Sequence, residues 1–264
     1  MTQHTRRLLS CAYENAAAFR KHWAAELRYA GARLVEGAGI GEARTVLDLG
    51  AGIGLNLPTI ARAAPDAFVV GADLVETMIG AAPREFARVL MDASSLGFAD
   101  DSFDAVVMAF MLFHVPVPQR ALAEAHRVLR GGGRLAVGTW YVGTEEMAAE
   151  KIWTDLLDEL GAARPEAAIS NQEGMSTPET ITALLEANGY GDLRTTTRRF
   201  DDPTDLEGFL ERRTQLGMSR TRFESLEPDV RERCLALARE RLGRLEPDAF
   251  IAREAALYAW ARRD

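Results

Sequence analysis

Four side chains and one loop carry the chemistry that can be read from this chain. Asp48 sits in a short apolar run, Val46-Leu47-Asp48-Leu49, that leads directly into Gly50-Ala51-Gly52-Ile53-Gly54. Glycines at alternate positions let a backbone turn sharply and approach a ligand closely. A helix that starts after such a loop presents unpaired N–H groups and the positive end of its dipole. Asp73 closes a second apolar run about twenty residues further on, where a carboxylate can grip a ribose diol because its oxygens only accept hydrogen bonds. Asp92 follows a third run and His114 a fourth.

These groups need strands to carry them, and the sequence supplies an alternation. Apolar strand signals fall at 45–49, 67–72, 87–91, 103–110 and 134–141, with helical patterns at 55–63, 75–82 and 117–129 between them. Continuous apolar runs such as Phe103-Asp104-Ala105-Val106-Val107-Met108-Ala109-Phe110 suit strands buried on both faces. The alternation predicts an α/β fold with a mostly parallel sheet between helices, and ligands in such sheets bind outside the carboxyl ends of the strands. Ahead of this core, residues 8–36 read as one helical segment. Behind it come a helix at 144–161, a loop at 162–176, and a helix capped by Thr177 with Pro178 in its first turn. A strand at 192–200, an arginine-rich helical stretch at 203–247 and a last strand at 254–262 complete the chain, with a helix as the alternative for the last.

The loop poses a choice between two adenosine ligands. A dinucleotide fingerprint is G-x-G-x-x-G, whereas Gly50-Ala51-Gly52-Ile53-Gly54-Leu55 puts leucine at the third glycine. Asp48 would repel a pyrophosphate and attract a sulfonium or ammonium. The signs favour S-adenosylmethionine.

With those residues in place, the chain resembles a class I S-adenosylmethionine-dependent methyltransferase, of the branch similar to ubiquinone/menaquinone methyltransferases and small-molecule, natural-product tailoring enzymes. The matching stretches are VLDLGAGIG (46–54), VVGADLVETMI (69–79), MDASSLGFADDSFDAVVMAFMLFHV (91–115) and ALAEAHRVLRGGGRLAVGTW (121–140), with a weaker echo at 177–193. The resemblance implies a Rossmann-like sheet of seven strands in a single domain. Residues 1–40 would be a helical lid, 41–141 the cofactor-binding core, and 142–176 with 201–249 a cap over the acceptor. It also implies roles. Gly50, Ala51, Gly52 and Gly54 would pass close to the cofactor, Asp48 would sit near its methionine ammonium and Asp73 would hold the ribose. Leu74 and Met78 would pack on adenine, Asp92 with Ala93 beside it would meet the adenine amino group, and Phe110 and Met111 would line the sulfonium end. Gly131 departs from the proline usual at that turn, which lies away from the cofactor.

Methyl transfer from a sulfonium is an in-line displacement that asks the protein to align, to exclude water and, where needed, to take a proton. His114 is the candidate base, against a plain packing role in its loop. On the lid, Tyr13 is placed to reach the methionine carboxylate and Trp23 to cover the sulfonium, against ordinary core packing. Trp140 and Tyr141 are placed to border the acceptor. Phe209, Leu210, Leu216, Met218 and Phe223 offer an apolar wall. Arg212, Arg213, Arg220 and Arg222 could meet an anionic or carbonyl-bearing acceptor, although such a run is most often a solvated helix face.

The bulk numbers limit the partners. The chain has 264 residues, 47% hydrophobic and 27% charged, with a formal net charge of −8. That composition fits a globular domain with a real core and argues against a nucleic-acid partner. No run is apolar enough to cross a membrane and no signal peptide is evident, so a cytoplasmic protein with free thiols at Cys11 and Cys234 is expected. No metal-ligand spacing occurs. The expected partner is a small-molecule acceptor such as a bulky metabolite, with homo-oligomerisation and the methylated atom (O, N or C) left open. Two alternatives remain: the same fold binding S-adenosylmethionine as a cyclase or scaffold, and a nicotinamide oxidoreductase.

Overall fold

The computed structural model describes residues 12–142, 147–164 and 172–264. Two helices, α1 (Ala16–His22) and α2 (Ala24–Gly37), lead into the alternation β1 (Thr45–Leu49), α3 (Leu57–Ala63), β2 (Phe68–Asp73), α4 (Glu76–Gly80), β3 (Ala87–Leu90), β4 (Phe103–Ala109), α5 (Pro118–Val128) and β5 (Leu129–Trp140). Then follow α6 (Ala148–Glu159), α7 (Pro178–Glu186), β6 (Tyr190–Pro203), α8 (Leu206–Gln215), α9 (Gly217–Glu224), α10 (Pro228–Leu242) and β7 (Ile251–Arg263).

The sheet has seven strands in the order β3-β2-β1-β4-β5-β7-β6. The first five pair in parallel, and β7 inserts antiparallel to both β5 and β6. Strand order reverses between β1 and β4, so the crevice for a ligand opens beyond Leu49 and Ala109. The apolar runs explain the central strands: Val46, Leu47, Val106, Val107 and Met108 are fully buried between helices. A separate apolar cluster around Trp153, Leu156, Phe209, Phe223 and Leu242 gives the cap its own core. A third, smaller one joins Phe19 and Ala24 of the N-terminal helices to Ile53 of the glycine loop, Met78 and Leu216.

Two expectations are corrected, and a third, the last strand, is met. The N-terminal segment is two helices and not one, broken at Trp23, whose φ of −120° lies outside helical geometry. Asn15 caps the first, its side-chain oxygen accepting from the Ala18 N–H. Strand β5 begins at Leu129 and absorbs the glycines: pairing passes from Phe103–Leu129 to Ala105–Arg134, so 130–133 bulge out of register. The last segment is a strand throughout, because ladders on both sides outweigh the helix preference of its alanines. The expected loop at 162–176 is described only in part, and its end forms a short 3₁₀ turn, Gln172–Met175. Cys234 is a buried free thiol, while Cys11 lies outside the described residues.

Candidate active site

The glycine loop is tied to the strand beside it. Both Gly50 and Ala51 N–H donate to the Ala72 carbonyl oxygen, at 2.7 and 3.0 Å. Gly50 (φ +76°) packs so tightly that a Cβ there would lie 2.5 Å from Met111 Cβ. Gly54 (φ +75°) meets Pro83 and Ala82 in the same way, at 2.7 and 2.8 Å. Gly52 (φ +54°) differs, since the nearest atom to a Cβ there is Met78 Cε at 3.5 Å. Gly52 is therefore the glycine with free space before it, whereas Gly54 serves helix–loop packing and does not line the cavity.

Beyond the strand ends lies a cavity of about 390 Å³, within the range of small-ligand sites. Of the residues expected to hold a cofactor, Gly50, Ala51, Gly52, Asp73, Leu74, Met78, Asp92, Ala93, Phe110, Met111, Tyr13 and Trp23 line it, as does His114. Asp73 accepts from the Gly52 N–H with one oxygen and the Val75 N–H with the other, both at 2.8 Å. Each oxygen keeps a lone pair for a ligand hydroxyl. Burial raises the Asp73 pKa and those backbone N–H groups oppose the rise. Asp92 accepts from the Ser94 N–H at 2.9 Å. Asp48 departs from expectation: it is fully buried behind the loop and does not line the cavity. Neither of its oxygens has a hydrogen-bond partner, and burial, followed by nearby Asp73, pushes its pKa up to about 7.

The lid closes over the cavity's middle. Tyr13 Oη and His114 Nε2 lie 2.8 Å apart, joining the N-terminal segment to the end of β4. Burial drives the Tyr13 pKa upward, so its hydroxyl stays protonated at neutral pH. Trp23 lies 6.2 Å from the Tyr13 ring. Phe110, held at φ +55°, stacks against Trp140 at 4.5 Å. A non-glycine residue in that left-handed region costs about 1 kcal/mol, strain of a kind concentrated at ligand sites.

At the far end the cap and the sheet's antiparallel part complete the wall. Phe209 and Phe250 supply apolar surface, and Glu26, Asp202, Glu254, Arg212 and Arg213 supply charge. Trp140 borders the cavity and Tyr141 does not. Leu210 and Phe223 are spent on the cap's own core, Leu216 on the cluster against the lid, and Met218 lies off the cavity. Arg220 pairs with Glu14 and Glu224, and Arg222 with Asp158, all away from the cavity.

Residues 47–137 match the model of a family described as a methyltransferase domain. Demethylmenaquinone methyltransferase from Mycolicibacterium paratuberculosis is 45% identical over 100 residues, 38% of this chain and 43% of that one. The homologue from Clavibacter sepedonicus is 43% identical over 98 residues, 35% and 39% of the two chains. The matched stretch thus spans less than half the length of these relatives. Among solved structures, YcgJ from Bacillus subtilis superposes with a TM-score of 0.57 at 18% identity, covering 89% of this chain and 99% of its own. Phosphoethanolamine N-methyltransferase 2 from Haemonchus contortus, solved with S-adenosyl-L-methionine, gives 0.55 at 17% identity over 99% of this chain and 58% of its own.

Over residues 47–137, then, the chain is similar to methyltransferase domains.

The site fits S-adenosylmethionine on two observations. A buried carboxylate without a partner needs a cation, an N–H donor or a water, and Asp48 is such a group beside a loop whose Gly52 leaves room. Asp73 and Asp92 point further acceptors at the same crevice, matching a ligand with ribose hydroxyls and an exocyclic amine. Sequence reasoning missed Glu26, Asp202 and Glu254. They stand on α2, β6 and β7, far apart in sequence, and no spacing joins them. One signal was present, a lone Glu254 opening an otherwise apolar strand.

Proposed function

We propose that this protein transfers a methyl group from S-adenosylmethionine to a small-molecule acceptor held beneath the cap. The observation that carries the reading is the single cavity: its core end is built of the glycine loop, Asp73 and Asp92, and its middle holds the Tyr13–His114 pair. When bound, the cofactor supplies a methyl already activated by the sulfonium charge. The chain's own residues bind, align and keep out water. Trp23, Phe110 and Trp140 form aromatic walls around the middle of the cavity. Tyr13 and His114 handle the proton. In the tautomer with the imidazole proton on Nδ1, the protonated Tyr13 hydroxyl donates to His114 Nε2. An acceptor O–H or N–H placed against Tyr13 Oη can pass its proton to that oxygen as the tyrosyl proton moves to Nε2. Asp48 holds charge behind the loop and takes no part in this transfer.

The acceptor class proposed is a metabolite large enough to need a cap, of the tailoring type. A quinone-type aromatic acceptor is the second reading, favoured by the demethylmenaquinone relatives. The family match ends at residue 137, short of β6, β7 and α8, which build the acceptor end. A [4+2]-cyclase, SpnF, has a similar fold (TM-score 0.51, 18% identity, 88% of this chain and 79% of its own), which keeps non-methylating chemistry as the competitor.

The test is incubation with methyl-labelled S-adenosylmethionine and a panel of phenolic, quinol and amine acceptors, with products read by mass spectrometry, alongside calorimetry with S-adenosylhomocysteine. A methylated product whose formation depends on His114 supports the reading. Tight S-adenosylhomocysteine binding with no methylated product across the panel favours the cyclase or scaffold. Failure to bind S-adenosylhomocysteine overturns the cofactor assignment.

A further inference from the structure

The acceptor end of the cavity contains more negative charge than its own arginines neutralise. Arg212 is bound to Asp202, and Arg213 to Glu150 at 2.5 Å with its guanidinium over the Phe209 ring. Both guanidiniums are thus committed, and among the described residues Glu26 and Glu254 have no ion-pair partner of their own. Glu26, Asp202 and Glu254 line the same cavity, and both partners oppose the charge of Glu26. A second acceptor lies in the same cavity. Asn56 is 9% exposed, and its side-chain oxygen has no hydrogen-bond partner. That oxygen sits over Gly31 of α2, the helix that carries Glu26. Buried acceptors and like charges without a counter-charge are costly, and a site resolves the cost by holding protons or by receiving a cation from its ligand.

We propose that the acceptor carries a basic amine, and that its ammonium docks between Glu26 and Glu254. The proposal rests on the methyl-transfer reading for the use of the cavity and adds the acceptor's chemical class. Aromatic surface from Phe209, Phe250 and Trp140 surrounds the spot, which suits the carbon body of an amine and the cation itself. The Nε–H groups of Arg212 and Arg213 are buried and unpartnered, so the same wall can also take an oxygen substituent of the ligand.

The titration behaviour agrees. Burial first, then Asp202 and Glu254, lift Glu26 to about 8, with Arg212 opposing. Burial also lifts Glu254, where Arg213 opposes and Asp202 and Glu150 add to the rise. Those are the charged groups that face the pair from α6, α8, β6 and β7. At neutral pH the empty site therefore holds a proton that an ammonium would expel. The proton balance is simple: R–NH₃⁺ enters, one H⁺ leaves from the Glu26 carboxyl, and a carboxylate–ammonium contact forms in its place.

The test is calorimetry with S-adenosylhomocysteine already bound, using three ligands of one shape: tyramine, 4-(2-hydroxyethyl)phenol and 4-hydroxyphenylacetate. Tyramine should bind about tenfold or more tightly than the alcohol, and the carboxylate weakest. Repeating the tyramine titration at neutral pH in buffers of different ionisation enthalpy should show proton release, absent for the alcohol. The Glu26→Gln and Glu254→Gln double variant should bind tyramine no better than the alcohol and release no proton. Thermal melting establishes that this variant is folded. Equal or tighter binding of the alcohol or the carboxylate overturns the proposal, as does no tyramine binding at millimolar concentration. Loss of S-adenosylhomocysteine binding in the first step would instead defeat the methyl-transfer reading, so the two failures are distinct.

Discussion

The two ends of the cavity are built on different principles. At the core end, acidic side chains are held by backbone a few residues away or by the neighbouring loop: Asp73 by the Gly52 and Val75 N–H groups, Asp92 by that of Ser94. At the acceptor end, side chains from remote elements hold one another, Asp202 of β6 against Arg212 of α8 and Glu150 of α6 against Arg213. Backbone donors at strand ends are fixed by the fold itself and give one rigid geometry. Side-chain pairs between remote elements can be changed one residue at a time without disturbing the sheet. On the proposed function, this difference puts acceptor specificity at the cap end and leaves the core end constant.

The sharpest test lies where the two ends meet. His114→Gln should lower turnover by about 10²–10⁴, the usual worth of a general base. S-Adenosylhomocysteine affinity and the acceptor KM should be unchanged. Tyr13→Phe, which removes the donor to Nε2, should lower turnover in the same direction and change its pH profile. If both variants retain full turnover while the protein methylates its acceptor, the pair is packing alone and the transfer needs no base.

A second variant separates the ends. Asp73→Ala removes two charge-assisted acceptors and leaves the Gly52 and Val75 N–H groups unpaired. S-Adenosylhomocysteine affinity should fall by about a hundredfold. Amine binding to the cofactor-free protein should be unaltered, because that site shares no side chain with Asp73. Equal losses for both ligands would show that the two ends are not independent.

Asp48 tests the core end through stability. Its folded pKa of about 7 lies above the ordinary 3.8. Between those values the folded chain keeps a proton that the unfolded chain has released. Stability present below about pH 4 is therefore lost as pH rises through 7. Asp48→Asn avoids that loss. The cofactor-free variant should match wild type near pH 4 and exceed it at pH 8 by up to roughly 4 kcal/mol, several degrees in Tm. The same change should weaken S-adenosylhomocysteine binding. A variant less stable than wild type at pH 8 would show that the carboxylate is satisfied in the folded protein.

The same division governs what was legible from sequence. The five parallel strands were readable because a strand buried on both faces writes a continuous apolar run. The core end was readable because its residues follow strands at short, fixed offsets. Asp48 and Gly54 were placed in the site by that same logic, and the structure assigns both to the layer behind it, a distinction of depth that spacing does not encode. The break at Trp23 was hidden because helical periodicity continues on both sides of it. Glu26, Asp202 and Glu254 were invisible because only the antiparallel insertion of β7 brings them together. The cap arginines were seen as a group, and charge pattern alone could not tell which faced the cavity.

That last point yields the smallest predicted effect. Four arginines, Arg212, Arg213, Arg220 and Arg222, were equivalent candidates by sequence, and the structure separates them into two pairs. Arg222 is bound to Asp158 and to the Ala163 carbonyl oxygen on the outside of the cap. Ion pairs in such places contribute little, since solvent screens them and holding two long side chains in register costs entropy. Arg222→Gln should shift Tm by about two degrees at most and leave tyramine binding unchanged. Arg212→Gln, by contrast, releases Asp202 into the cavity and adds one uncompensated negative charge beside Glu26. It should tighten tyramine binding at pH above 8, where the carboxyl groups are ionised, and destabilise the ligand-free protein there. An Arg222 variant that altered amine affinity as much as the Arg212 variant would mean that the cap reads total charge and not the contacts at its inner wall.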